Sequence, residues 1–274
     1  MLADRAGGVS AAVPQASAEA SSAGRGEPPA AGRRRFAPES SGCWRPSSRE
    51  DRLDRVMLAR PIAVLLDLDG TLVDTVPLIL DSVRYAFHGR AHRPTVAEWI
   101  AGIGMPLRVQ LSPFTDGPDD LEAVVARYRV HQREHHDRMT RAYAGAVEAV
   151  QALKRRGHPI AIVTGKHSEP AVRTLKHVGL ASIVDAVVGS DSCSRHKPDP
   201  EPVLLALERI GGSPPDALFV GDSPVDVLAG NAAGVTSVAA LWGACTREAL
   251  LAASPRHLLE HVAALPSLVE RLGA

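Results

Sequence analysis

The sequence predicts an α/β fold: a Rossmann-like parallel sheet, with an all-helical cap inserted after the first strand. Three observations carry this expectation. Short Val/Ile/Ala-rich apolar runs recur without polar alternation, as strands buried on both faces do. Helical patterns with their own capping residues separate them, and strand–helix–strand repetition means right-handed crossovers in a parallel sheet. One stretch, from Val73 to Tyr143, carries helical spacing alone.

Composition bounds the class. A chain of 274 residues holds one large domain or a domain with an insertion. Apolar residues make up 45% but aromatics only 4%, so the core must be aliphatic. Net charge is zero, which offers no basic field to a nucleic acid. No apolar run reaches the ~18 residues of a membrane span. The cysteines Cys43, Cys193 and Cys245 are odd in number and lack metal-ligand spacing. That pattern suits a reducing, cytoplasmic setting with no disulfide scaffold.

Taken in order, residues 1–56 are rich in Ala, Ser, Gly, Pro and Arg and read as a disordered tail, unable to bury enough surface to offset its ordering entropy. They have no apolar h-region, so they do not read as a secretory signal, and Asp4, Glu19, Glu27 and Glu39 argue against a transit peptide. Translation starting at Met57 is the alternative reading. The core is assigned to residues 57–76 and 143–274, the cap to 77–142.

Within the core, Ile62–Leu66 is the first expected strand, followed by Ile160–Val163, Ala186–Val188, Ala217–Val220 and Thr236–Ala239. Between them, Ala146–Arg156 ends at the C′ glycine Gly157. Ser168 reads as the N-cap of a helix with Pro170 in its first turn. Glu201–Ile210 stops at Gly211-Gly212, and Val225–Ala233 follows Asp222-Ser223-Pro224. In the cap, Leu121, Val124, Val125, Tyr128, Gln132, His135 and Met139 share one helical face. A helical insertion above the strand ends sits where a lid belongs.

Polar residues follow four of these strands: Asp67-Leu68-Asp69-Gly70-Thr71, Thr164-Gly165-Lys166, His196-Lys197-Pro198-Asp199, and Asp222-Ser223-Pro224-Val225-Asp226. Asp-Gly between apolar runs also signals a hairpin, so residues 64–73 alone allow two antiparallel strands. The four segments together favour the parallel sheet, whose carboxyl ends gather ligand-binding groups. There Asp67 is the expected nucleophile, forming an aspartyl-phosphate. Asp69 is the expected acid and base. Thr164 and the amides of Gly165 and Lys166 would hold phosphoryl oxygens at a helix start, beside Gly70 and Thr71. Lys197 would neutralise charge shared by Asp67 and the phosphoryl group. Asp222 would complete a Mg²⁺ site, with Asp226 one turn on as an indirect or water-mediated ligand.

DLDGTLVDT, IVTGK, HKPDP and GDSPVD resemble the four motifs of the haloacid dehalogenase superfamily, in its subgroup with a helical cap after the first motif. The likeness spans about residues 60–247, and with Gly104-Met105-Pro106-Leu107 it is nearest phosphoglycolate phosphatase-like proteins. The resemblance implies Mg²⁺ on the carboxylates of Asp67 and Asp222 and the backbone carbonyl of Asp69. It implies a phosphatase or phosphomutase, because branches with other chemistry lack an aspartate at the Asp69 position. Gly165 departs from the Thr-Asn-Lys that relatives carry, which bears on substrate choice. The expected substrate is a small phosphorylated metabolite: phosphoglycolate first, with pyrophosphate and sugar phosphates as alternatives and Arg108 as a candidate contact. A non-catalytic binding protein is the reading from a different class. His131-Gln132-Arg133-Glu134-His135 also fits the H-x-x-E-H zinc-peptidase pattern, but no third ligand is apparent and His135 lies on the apolar stripe.

Overall fold

Val64, Leu65 and Leu66 are wholly buried, the environment of a strand covered on both faces. The computed structural model describes residues 61–273. The expected tail of residues 1–56 and the alternative start at Met57 lie outside them. Strand β1 (Ala63–Leu66) pairs in parallel with β4 (Ile160–Val163) on one side and β6 (Ala217–Gly221) on the other. With β5 (Ala186–Val188), β7 (Thr236–Ala240) and β8 (His257–Leu259), they form a six-stranded sheet of order β5-β4-β1-β6-β7-β8.

This pairing overturns the hairpin alternative. Leu66 lies opposite Ile162 and Val220 in parallel register, so the Asp-Gly segment ends a central strand. The chain turns at Gly70, whose φ of +81° favours glycine, and a Cβ there would fall 2.2 Å from Asp222 Oδ2. It then enters a two-stranded antiparallel pair, β2 (Val73–Asp74) with β3 (Arg141–Ala142).

Between β2 and β3 lie the helices of the inserted cap: α1 (Val76–Ala86), α2 (Val96–Ala101), α3 (Leu107–Leu111) and α4 (Pro118–Met139). Ile79, Val83, Phe87, Trp99, Leu111, Val124 and Tyr128 give the cap its own apolar centre. The remaining helices cover the sheet: α5 (Ala146–Arg155), α6 (Ser168–His177), α7 (Glu201–Ile210), α8 (Pro224–Ala233), α9 (Arg247–Ala252) and α10 (Leu265–Gly273). Successive strand residues point to opposite faces. Val64, Leu66, Ile162 and Val220 meet α5 and α10 through Val150, Leu153, Leu265 and Val269. Leu65, Val163 and Phe219 meet α7 and α8 through Val203, Leu207 and Ala229.

Three details differ from expectation. The N-cap of α6 is His167, and Ser168 Oγ instead donates 2.7 Å to Asp191. Strand β8 extends the sheet beyond the last expected strand; it is an edge strand with only Leu259 buried, so it lacks the continuous apolar run that marks the others. Helix α9, six residues long, was also not expected. Among the described residues no helix is long and apolar enough to cross a membrane.

Candidate active site

The parallel register sets the carboxyl ends of β1, β4 and β6 side by side, and each strand hands its next residue to the same place. The Asp67 N–H continues the ladder to the Val220 carbonyl at 2.9 Å, and the Thr164 N–H continues it to Val188 at 2.9 Å. Asp67, Thr164, Lys197, Asp222 and Asp226 are all at most 6% exposed.

Lys197 is the centre of the buried cluster. Its Nζ donates to Asp67 Oδ1 at 2.9 Å, Asp226 Oδ1 at 2.5 Å and the Val163 carbonyl at 3.3 Å. Three acceptors match the three N–H bonds of an ammonium. The other Asp226 oxygen accepts from Ser223 Oγ at 2.5 Å and Ser223 N at 3.1 Å, the capping box that starts α8. Asp222 is held by the Thr71 hydroxyl at 3.1 Å and the Ala244 N–H at 2.8 Å. Trp242 Nε1 fixes the Thr71 carbonyl at 2.9 Å. Asp69 accepts from Lys166 Nζ at 2.7 Å and Thr75 Oγ1 at 2.6 Å.

Each of Asp67, Asp222 and Asp226 offers one carboxylate oxygen within 4.8 Å of the others. Asp67 and Asp226 thus share one buried ammonium, with the Asp222 carboxylate beside them. Burial pushes the Asp67 carboxyl well above its usual range, with Asp226, Asp222 and Asp69 adding to it against the opposing pull of Lys197. Burial, then Asp226, pushes Asp222 up to about 7 despite its two donors. Burial opposes the Lys197 charge, but Asp226 and Asp67 outweigh it and hold this lysine above its ordinary value. The group carries surplus negative charge on oxygen donors, which fits a hard divalent cation. Asp226 takes three hydrogen bonds on its two oxygens, whereas Asp222 takes two and Asp67 one, which leaves Asp67 and Asp222 the larger acceptor capacity.

Thr164 Oγ1 accepts from the Lys166 N–H at 3.2 Å. Gly165 lies directly under the cap, where a Cβ would come 2.4 Å from the Gly104 carbonyl oxygen. Gly104, Thr164, Gly165, Cys193, His196 and Lys197 border a cavity of about 10 Å³. That is room for about one water.

Arg108 is not among the groups brought together. It is exposed on the cap and donates to Glu122 at 2.9 Å. His131 and His135 stack with ring centroids 4.1 Å apart, and Ser82 Oγ lies 3.1 Å from His131 Nδ1. Among the described residues no third donor joins them, and the one group of three metal-donor side chains is Asp67, Asp222 and Asp226. The zinc-peptidase pattern here is a feature of helix spacing.

The profile of the haloacid dehalogenase-like hydrolases matches residues 64–240, from the middle of β1 to the end of β7. The chain belongs to this family. It is thus a hydrolase, of the phosphatase kind. It is similar to a candidate pyrophosphatase, PpaX, of Caldanaerobacter subterraneus, at 37% identity over 76% of this chain and 94% of that one. The pyrophosphatase PpaX of Bacillus velezensis is 35% identical over 75% of this chain and 95% of that one. The crystal structure of a predicted phosphoglycolate phosphatase from Haemophilus somnus shares the fold, with a TM-score of 0.69 and 23% identity over 76% of this chain and 97% of that one.

Sequence reasoning missed four contributors. Thr75 and Ser223 stood inside the quoted motifs, and their hydroxyl chemistry was the available signal. Trp242 and Ala244 follow β7 and carry no local signal; only the strand order places that loop beside Asp222.

Proposed function

We propose that this chain is a magnesium-dependent phosphatase that hydrolyses a small phosphorylated substrate through an aspartyl-phosphate formed on Asp67. The observation that carries the reading is the buried Lys197 shared by Asp67 and Asp226 beside Asp222. Asp67 and Asp222, with the Asp69 backbone carbonyl, would hold Mg²⁺; Asp226 would hold Lys197. When bound, the ion supplies positive charge to the carboxylates and the phosphoryl oxygens.

The chain's own groups do the rest. Asp67 attacks phosphorus and the leaving oxygen departs with a proton from Asp69. Asp69, aimed by Lys166 and Thr75, then takes a proton from the water that cleaves the aspartyl-phosphate. Lys197 and the amides after Thr164 oppose the charge that develops on the phosphoryl oxygens. Pyrophosphate is the leading substrate, supported by the names of relatives that align over nearly their whole length. Phosphate release measured over pyrophosphate, phosphoglycolate and sugar phosphates tests this. Release from pyrophosphate that stops with EDTA and returns with Mg²⁺ is expected; metal-independent release would overturn the magnesium assignment.

The acidic cluster also predicts how stability depends on pH. Asp222 titrates near 3.8 when unfolded and is pushed up to about 7 when folded without a cation. The folded state therefore binds more protons between these values, and this group removes stability as pH rises through them. At about 1.4 kcal/mol per pH unit the loss reaches at most about 4 kcal/mol. Histidines whose values are lowered by burial, such as His136 and His158, act with the opposite sign, so the comparison with and without Mg²⁺ isolates the cluster. Mg²⁺ should raise Tm more at pH 8 than at pH 5.5. An equal rise at both would count against ligation by Asp222.

A further inference from the structure

Gly165 is a glycine for an unusual reason. Its φ lies outside the left-handed region, so its backbone accepts an ordinary side chain without strain. What excludes a side chain is the cap. A Cβ would stand 2.4 Å from the Gly104 carbonyl oxygen and 2.9 Å from the Met105 carbonyl carbon and oxygen. Any larger residue must lift this loop by close to an ångström to restore ordinary contact.

The loop is also braced from behind. Gln110 Nε2 donates 2.8 Å to the Met105 carbonyl, and the Gln110 side chain packs against Gly102, where a Cβ would meet its Cγ at 3.3 Å. The Gln110 Oε1 atom is buried with no partner among the described residues. Leaving a buried acceptor without a partner carries a desolvation cost. The amide is thus kept in place for the bond that its nitrogen makes. Gly104 adds a second contact with the core: its φ is +92°, and a Cβ there would fall 2.7 Å from Ser223 Oγ.

We propose that Gly165, with the Gln110-braced carbonyls of Gly104 and Met105, sets an upper size limit on the leaving group. Without a side chain at 165 the Gly104–Met105 loop rests against the end of β4, and the void that Gly104, Thr164, Gly165 and Lys197 border is about 10 Å³. A substrate enters with the cap raised. The smaller its leaving group, the further the cap returns and the drier the phosphoryl group becomes. The inference rests on the phosphatase reading and adds its selectivity: phosphate as leaving group over aryl or sugar groups.

The test compares Gly165→Ala and Gly165→Asn with the parent chain, in Mg²⁺, on pyrophosphate and p-nitrophenyl phosphate. The ratio of kcat/KM for pyrophosphate to that for the aryl ester should fall on the order of tenfold, the scale on which pockets sort substrates by small volumes. Gln110→Ala, which touches neither substrate nor catalytic group, should shift the ratio the same way by roughly threefold. That is the effect of about one weak hydrogen bond. A ratio unchanged within twofold in these variants would overturn the size limit.

Hydrogen exchange provides a readout that needs no turnover. The amides of Gly104 and Met105 should exchange faster in Gly165→Ala, and unchanged exchange there would equally overturn the proposal. Failure of the phosphatase reading looks different: no phosphate release from either compound by the parent chain, with exchange at the loop still responding to the substitution.

Discussion

Asp67→Asn should abolish phosphate release while leaving the fold at least as stable as before. The nucleophile carries a covalent mechanism, and its loss in hydrolases costs on the order of 10⁴-fold or more in turnover. Asparagine keeps the size and one oxygen of aspartate but cannot form the aspartyl-phosphate. Lys197 still finds Asp226 at 2.5 Å and the Val163 carbonyl at 3.3 Å. The substitution also removes one of three buried carboxylates that face a single ammonium. Asp67 is pushed well above its usual range by burial, which means that its charge is costly where it stands. Thermal unfolding without Mg²⁺ should therefore give a Tm equal to or above that of the parent, while Mg²⁺ should raise Tm less in the variant because a ligand is lost. Undiminished turnover in Asp67→Asn would remove the nucleophile assignment.

How far the sequence carries this picture differs from element to element. The central strands were legible because burial on both faces leaves an unbroken apolar run, as in Ile160–Val163. Glu201–Ile210 was legible to the residue because a left-handed glycine, Gly211, ends it. Strand β8 was not, because an edge strand with one buried side chain resembles a loop. At the site, Asp67, Asp69, Thr164, Asp222 and Asp226 each follow a strand or start a helix, and Lys197 stands in the loop between β5 and α7, so local pattern and topology pointed to one place. Arg108 was proposed from its neighbours in sequence alone, and the structure gives it to Glu122 on the exposed cap face. Gln110 and Trp242 act through backbone carbonyls, Gln110 on Met105 in the loop just before its own helix and Trp242 on Thr71 far away in the chain. Nothing in their residue type records such a partner; only the folded register does.

Lys197→Met carries the second large effect, and it separates charge from packing. Methionine approximates the length of lysine and fills the same apolar passage beside Phe219. The ammonium is lost, and Asp67, Asp222 and Asp226 are left with no internal cation. Removing one partner of a buried ion pair costs about 3–5 kcal/mol, because the other charge remains in a medium that cannot solvate it. Urea denaturation without Mg²⁺ should show a loss of that size. Turnover should fall about 10²–10³-fold even with Mg²⁺ present, the usual cost of deleting one preorganised charge at a developing oxyanion. Adding Asp226→Asn to Lys197→Met should recover part of the stability, because it removes a like charge that the lysine alone had balanced, yet it should recover no turnover. The double-mutant cycle should then give a coupling of roughly 1–3 kcal/mol between the two positions. Mg²⁺ should stabilise Lys197→Met more than the parent, since the ion then becomes the sole cation in the cluster. Additive costs in the cycle, with no recovery by Asp226→Asn, would mean that the 2.5 Å contact between Lys197 and Asp226 is not what holds the lysine at Asp67.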